Sequence, residues 1–185
     1  MMAEITPKLE ATMKKAIDSL KYQLTRIRTG RAQASVLDNV SVDYYGTSTP
    51  INQVGQVSTP EARLLQIQPF DKNMIAVIEK AIMAANLGLT PSNDGNLIRI
   101  PFPALTEEKR KEQVREIKKV AEDARIAVRN SRRDQNDLVK KAEKDKDISE
   151  DESKKFQAEI QVVTNKYVKE VDVIITNKEQ ELMAV

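Results

Sequence analysis

Cysteine, histidine and tryptophan are missing from the 185-residue chain, and only 4% of its residues are aromatic. Without cysteine there are no disulfides, thiolate nucleophiles or thiolate metal sites, and without histidine the commonest general base and metal ligand are lost as well. So few rings disfavour a thick aromatic sandwich core and favour helices. The five glycines are scattered and form no phosphate-cradling loop. Carboxylates stand mostly among Lys and Arg on helical stretches, where solvated pairing is their ordinary role. No metal, cofactor or catalytic residue is therefore expected, and the chain does not read as an enzyme. No stretch approaches the roughly 18 apolar residues that span a bilayer, and the start MMAEITPKLE lacks a basic flank followed by an apolar core. A soluble, cytoplasmic protein without a membrane partner is the expectation.

What is present is 40% hydrophobic and 31% charged residues, enough for a core without staples. After Thr6 and Pro7, the spacing of Met13, Ile17, Leu20, Leu24 and Ile27 predicts an amphipathic helix ending at Gly30. Val40, Val42 and Tyr44 then alternate with Ser41 and Asp43. Turn signals at Thr49-Pro50 and Thr59-Pro60 separate predicted strands over Ile51 to Val57 and Leu64 to Phe70. Asp71 is placed to cap a helix from about Lys72 to Leu87, closed by Gly88, and a turn through Pro91, Asn93 and Gly95 leads into Leu97 to Ile100. Tyr44-Tyr45-Gly46 offers either a base-stacking platform or one ring in the strand core and one over the turn.

From Thr106 the texture changes again, because Gly and Pro are absent to the last residue. Val114, Ile117, Ala121, Ala124, Val128, Ser131, Gln135, Leu138 and Ala142 fall three and four apart, a heptad seam along an unusually long helix. Ser149 to Glu152 reads as a capping box opening a last helix, with Phe156, Ile160, Val163, Tyr167, Val171 and Ile174 as its stripe. So long a helix must bury its seam against others, and only the first and last segments carry matching stripes. The pattern implies an α+β protein: an elongated three-helix bundle from residues 1–29 and 107–185, with a small β/α/β domain, residues 30–106, inserted between its first two helices.

Net charge is only +2, so any nucleic-acid signal must lie in how charge is distributed. Between residues 109 and 133, ten basic residues face four acidic ones, a net of +6. On the heptad seam, Lys118, Arg125 and Arg132 occupy one position, and Arg115, Glu122 and Arg129 the position beside it, which makes a basic ridge. Arginine's planar fork suits phosphate oxygens, and Arg129, Arg132 and Arg133 cluster with no acid until Asp134. The stretch 143–152 reverses to a net of −4, which disfavours a reversed orientation on RNA. Two chain crossings join the bodies, Arg28-Thr29-Gly30-Arg31 outward and Pro101 to Thr106 on return, and their Gly and Pro content suits a hinge. Arg28, Arg31 and Arg110 should gather there. A helical adaptor that binds protein through its bundle, without RNA, is the alternative.

Several segments together are similar to the bacterial ribosome recycling factor family: Ile27-Arg28-Thr29-Gly30-Arg31-Ala32, Tyr44-Tyr45-Gly46-Thr47, Ala85-Asn86-Leu87-Gly88-Leu89, Asp94-Gly95 before Ile98-Arg99-Ile100-Pro101, Leu105-Thr106-Glu107-Glu108, Val128-Arg129-Asn130 and Arg132-Arg133-Asp134. The resemblance implies an L-shaped, roughly tRNA-sized outline with a three-helix rod hinged to the small domain. It also implies an activity. Such a factor binds the large ribosomal subunit after termination and, with elongation factor G and the GTP that factor binds, separates the subunits and frees messenger and tRNA. Carried over, the ribosomal RNA contacts fall on Arg28, Arg31, Arg110, Arg129 and Arg132, with Arg125 and Arg133 added from the ridge. The hinge falls on Thr29, Gly30, Ala104, Leu105 and Thr106. A monomer is expected. Ser131 and Gln135 depart from the apolar or small residues usual in the family's seam.

Overall fold

The computed structural model describes residues 4–184. The chain divides into two compact units. One comprises the chain up to Ile27 together with Lys111–Gln180, and the other Arg28–Arg110 together with the last residues from Glu181. The outermost residues of the expected domains, 1–3 and 185, lie outside the described part.

The first unit is helical. Helix α1 (Ile5–Thr25) buries Ile5, Leu9, Met13, Ile17, Leu20 and Leu24 on one face. It ends at Thr25 rather than Gly30, with Arg26 N–H donating to Gln23 and Leu24 carbonyls, and it starts one residue before Thr6. Helix α4 (Glu107–Lys144) runs 38 residues, about 57 Å at the usual rise, and α5 (Glu150–Met183) runs 34. Thr106 caps α4 by accepting from Lys109 N–H at 3.2 Å. Ser149 and Glu152 form the reciprocal capping box of α5: Glu152 Oε2 accepts from Ser149 N–H at 2.8 Å, and Ser149 Oγ accepts from Glu152 N–H at 3.2 Å.

The buried face of α4 follows an eleven-residue spacing rather than seven. Ile117, Val128 and Val139 are each 0% exposed, whereas Leu138, expected in the seam, is 52% exposed. A nearly straight helix keeps residues eleven apart on one line, while a seven-residue repeat slips about 20° per heptad, so Leu138 is turned roughly 60° away three heptads after Ile117. Helix α5 behaves likewise, with Ile160, Val171 and Leu182 buried and Ile175 taking the place expected for Ile174. Ser131 sits in the seam with its hydroxyl donating to Ala127 C=O at 3.0 Å, but the buried oxygens Gln135 Oε1 and Asn136 Oδ1 accept nothing.

The second unit is α+β. Strands β1 (Ser41–Tyr44) and β2 (Thr47–Pro50) form a hairpin, and β3 (Gly55–Glu61), β4 (Leu64–Pro69), β5 (Ser92–Asn93) and β6 (Ile98–Pro101) form an antiparallel sheet in the order β3-β4-β6-β5. Helix α3 (Ile75–Ala84) follows a single 3-10 turn, Lys72–Met74, whose cap Asp71 accepts from Asn73 N–H at 2.9 Å. Leu65, Ile67, Ile78, Ile82, Ile98 and Ile100 are fully buried at the centre of the core.

Two strand expectations fail. Residues Ile51–Val54 form a short helix, α2, because Pro50 presets the entry and Ile51 and Val54, three apart, reach the core while Asn52 and Gln53 stay outside. Thr59-Pro60 is not a turn. Strand β3 is an edge and its register shifts between Ser58 and Glu61, so the proline's missing N–H is tolerated there and the chain reverses at Ala62-Arg63 instead. At Gly55 the backbone must be bare, since a Cβ would lie 2.9 Å from Gln68 C=O across the β3–β4 pairing.

Candidate nucleic-acid interface

Helix α4 presents the predicted arginines on its solvent-facing flank, but as two different sets. Arg125 is only 29% exposed in its side chain, and its Nη2 donates to Asp172 Oδ1 of α5 at 2.8 Å. Its Nη1 lies 3.6 Å from Glu122 Oε2. Hydrogen bonding to Asp172, ahead of the surrounding charges, raises the guanidinium's pKa further. One turn on, Arg129 is 47% exposed and its Nη1 donates to Glu122 Oε1 at 3.2 Å. Arg132 is half-buried and Arg133 exposed, and among the described residues neither has a carboxylate within ion-pair distance. The ridge is thus not a row of equivalent cations. Arg125 ties α4 to α5, Arg129 is held by one nitrogen, and Arg132 and Arg133 carry the uncompensated charge.

Sequence reasoning missed the two carboxylates that make this distinction. Glu122 stands three residues before Arg125 and seven before Arg129, so its role was readable from helical spacing. Asp172, on another helix, left no local signal.

The remaining predicted arginines belong to the second unit. Arg28 is exposed and its Nη2 donates to Leu87 C=O at 3.2 Å, beside the αL residue Gly88. Arg31 is exposed, and Arg110 is half-buried in the first turn of α4 with its N–H donating to Thr106 C=O at 2.9 Å. Of the expected hinge residues, Thr29 and Gly30 are buried, Leu105 is half-buried, and Ala104 and Thr106 are exposed. Gly30 has φ +80°, a conformation L side chains rarely adopt. Both chain crossings are moored to one turn: Ala32 N–H donates to Ala62 C=O at 2.8 Å, and Phe102 N–H to Arg63 C=O at 2.7 Å.

Tyr44 and Tyr45 meet edge to face, with centroids 4.7 Å apart. Neither packs the core. Tyr45 is 79% exposed, with φ +51°, and its hydroxyl donates to Asp71 Oδ2 at 3.0 Å, which pushes the phenol's pKa up. Among the described residues no acidic cluster could hold a metal ion, and no helix is long and apolar enough to cross a membrane.

Comparison with known proteins adds an independent line. The family model for the ribosome recycling factor matches residues 20–183. The ribosome-recycling factor of Syntrophomonas wolfei is 53% identical over 185 residues, all of both chains, and that of Bacillus cytotoxicus is 55% identical over 173 residues, 94% of each. A solution structure of the ribosome recycling factor superposes with a TM-score of 0.78 at 40% identity, covering 100% of this chain and 98% of that one. Models for the T. thermophilus ribosome recycling factor and E. coli elongation factor G bound to the E. coli post-termination complex contain a chain with a TM-score of 0.68 at 41% identity, with 98% of each covered.

Proposed function

The chain belongs to the ribosome recycling factor family, and we propose that it recycles ribosomes after termination. It binds the large ribosomal subunit and, with elongation factor G and the GTP bound by that partner, splits the post-termination ribosome and releases messenger and tRNA. It is a translation factor and catalyses no reaction of its own. It works in the cytoplasm, as a monomer. The observation that carries this reading is the end-to-end likeness to named recycling factors, 53% identity over the whole of both chains in one case. Subunits should appear, by light scattering or sedimentation, when the protein, elongation factor G and GTP are added to stalled post-termination ribosomes. Splitting no greater than with elongation factor G and GTP alone would reject the reading.

In this reading ribosomal RNA is met by Arg28, Arg31 and Arg110 in one unit and by Arg129, Arg132 and Arg133 on α4. Support comes from the exposure of Arg28, Arg31, Arg129 and Arg133 and from the fork donors that Arg28 and Arg129 leave unspent. Arg125, which charge pattern alone places with them, is assigned instead to the tie with Asp172, because its guanidinium already donates to that carboxylate at 2.8 Å and has Glu122 3.6 Å away. The hinge is assigned to Thr29, Gly30, Ala104, Leu105 and Thr106. What supports it is the mooring of both crossings at Ala62-Arg63, which leaves those residues between a fixed turn and the helices. Paired fluorophores, one per domain, should then report more than one distance on and off the ribosome; a single unchanged distance would count against the hinge.

A further inference from the structure

Four charged groups form a chain across two helices: Arg129 to Glu122 at 3.2 Å, Glu122 to Arg125 at 3.6 Å, and Arg125 to Asp172 at 2.8 Å. All four side chains are between 29% and 55% exposed, so screening leaves such pairs little to contribute to stability. Their geometry does something else. Asp172, on α5, fixes Arg125. Arg129 Nη1 donates to one oxygen of Glu122 and Arg125 Nη1 lies 3.6 Å from the other, so the carboxylate is flanked by a guanidinium at each oxygen.

We propose that Glu122 is a positioning residue for phosphate recognition: anchored through Arg125 on Asp172, it holds one Nη of Arg129 and leaves the other nitrogens of that fork turned outward for a phosphate oxygen. The proposal rests on the reading that Arg129 meets ribosomal RNA. Its physical content is pre-organisation. A free arginine loses several rotamers when it binds, whereas a guanidinium already pinned at one nitrogen loses fewer. Charge counting alone gives the opposite expectation, since a carboxylate beside a polyphosphate repels it. Glu122 therefore either helps or hinders binding, and the sign decides.

Replacing Glu122 by Ala, a good helix former at a half-exposed site, should lower affinity for isolated large subunits about three- to tenfold, chiefly through faster dissociation, with the thermal unfolding midpoint nearly unmoved. Asp172→Asn should lower it in the same direction by less. In a double-mutant cycle, Glu122→Ala should have no further effect once Arg129 is Ala. An unchanged or raised affinity for Glu122→Ala overturns the proposal, and so does an equal loss in the Arg129→Ala background. If Arg129→Ala itself leaves affinity intact, it is the RNA contact of Arg129 that fails, and the positioning role falls with it.

Discussion

Lys146 carries the clearest local strain in the helical unit, with φ +61° where α4 ends. Its N–H donates to Glu143 C=O at 3.0 Å, and Asp147 N–H donates to Ala142 C=O at 2.9 Å, the paired bonds of a Schellman C-cap with lysine where glycine is usual. A Cβ in the left-handed region costs roughly 1–2 kcal/mol, so Lys146→Gly should raise the unfolding free energy by about 1 kcal/mol, measured by urea denaturation. A loss of stability would mean that the lysine side chain contributes more than its backbone costs. The absence of glycine after residue 95 made α4 and its neighbour readable as helices, and the charged turn that follows Lys144 marked where α4 stops, but nothing local showed that Lys146 would take the left-handed cap position. Gln135 is a second local conflict. Its departure from an apolar seam was visible in the sequence, and its buried Oε1 is left without a donor, an arrangement that costs on the order of 1–3 kcal/mol.

Along whole helices the eleven-residue spacing makes a sharper claim than burial alone. Val139→Ala should cost about 2 kcal/mol and Leu138→Ala less than about 0.5 kcal/mol, although a heptad reading assigns the larger loss to Leu138. Equilibrium unfolding of the two variants separates the readings. At the start of α5 the capping box makes a pH prediction. Backbone and side-chain hydrogen bonds from Ser149 hold the Glu152 carboxyl below its ordinary value of 4.5. A carboxylate depressed in the folded state contributes stability above its unfolded pKa and loses it as pH falls through the folded one, so this end of α5 should weaken on acidification below about 4.5. An NMR titration of the Glu152 side chain should give a midpoint below that value in the native chain and one closer to it in Ser149→Ala. Helix existence and the Ser149 to Glu152 capping box of α5 were legible because 3.6-residue periodicity and capping are local. The α2 turn, the passage of β3 through Pro60 and the Asp172 tie were not, because each is settled by partners distant in the sequence.

For the molecule as a whole, a net charge of +2 leaves little long-range attraction to a polyanion, so recognition must come from a few uncompensated cations in the right place. The chain of pairs through Glu122 and Asp172 opposes two of the α4 arginines with two carboxylates, while Arg132 and Arg133 have no carboxylate within ion-pair distance among the described residues. Each phosphate contact that releases a counterion adds about 0.7–0.9 to the slope of log affinity against log salt. Arg132→Glu should therefore weaken large-subunit binding at low salt and flatten that slope by about one contact. Arg125→Gln should leave the slope nearly as it is, because its guanidinium is already engaged within the protein. Filter binding to isolated large subunits across a salt series measures both. Equal slope changes for the two variants would mean that Asp172 releases Arg125 on the ribosome. The division of the ridge into a tie and a grip, drawn from the unbound chain, would then not survive binding.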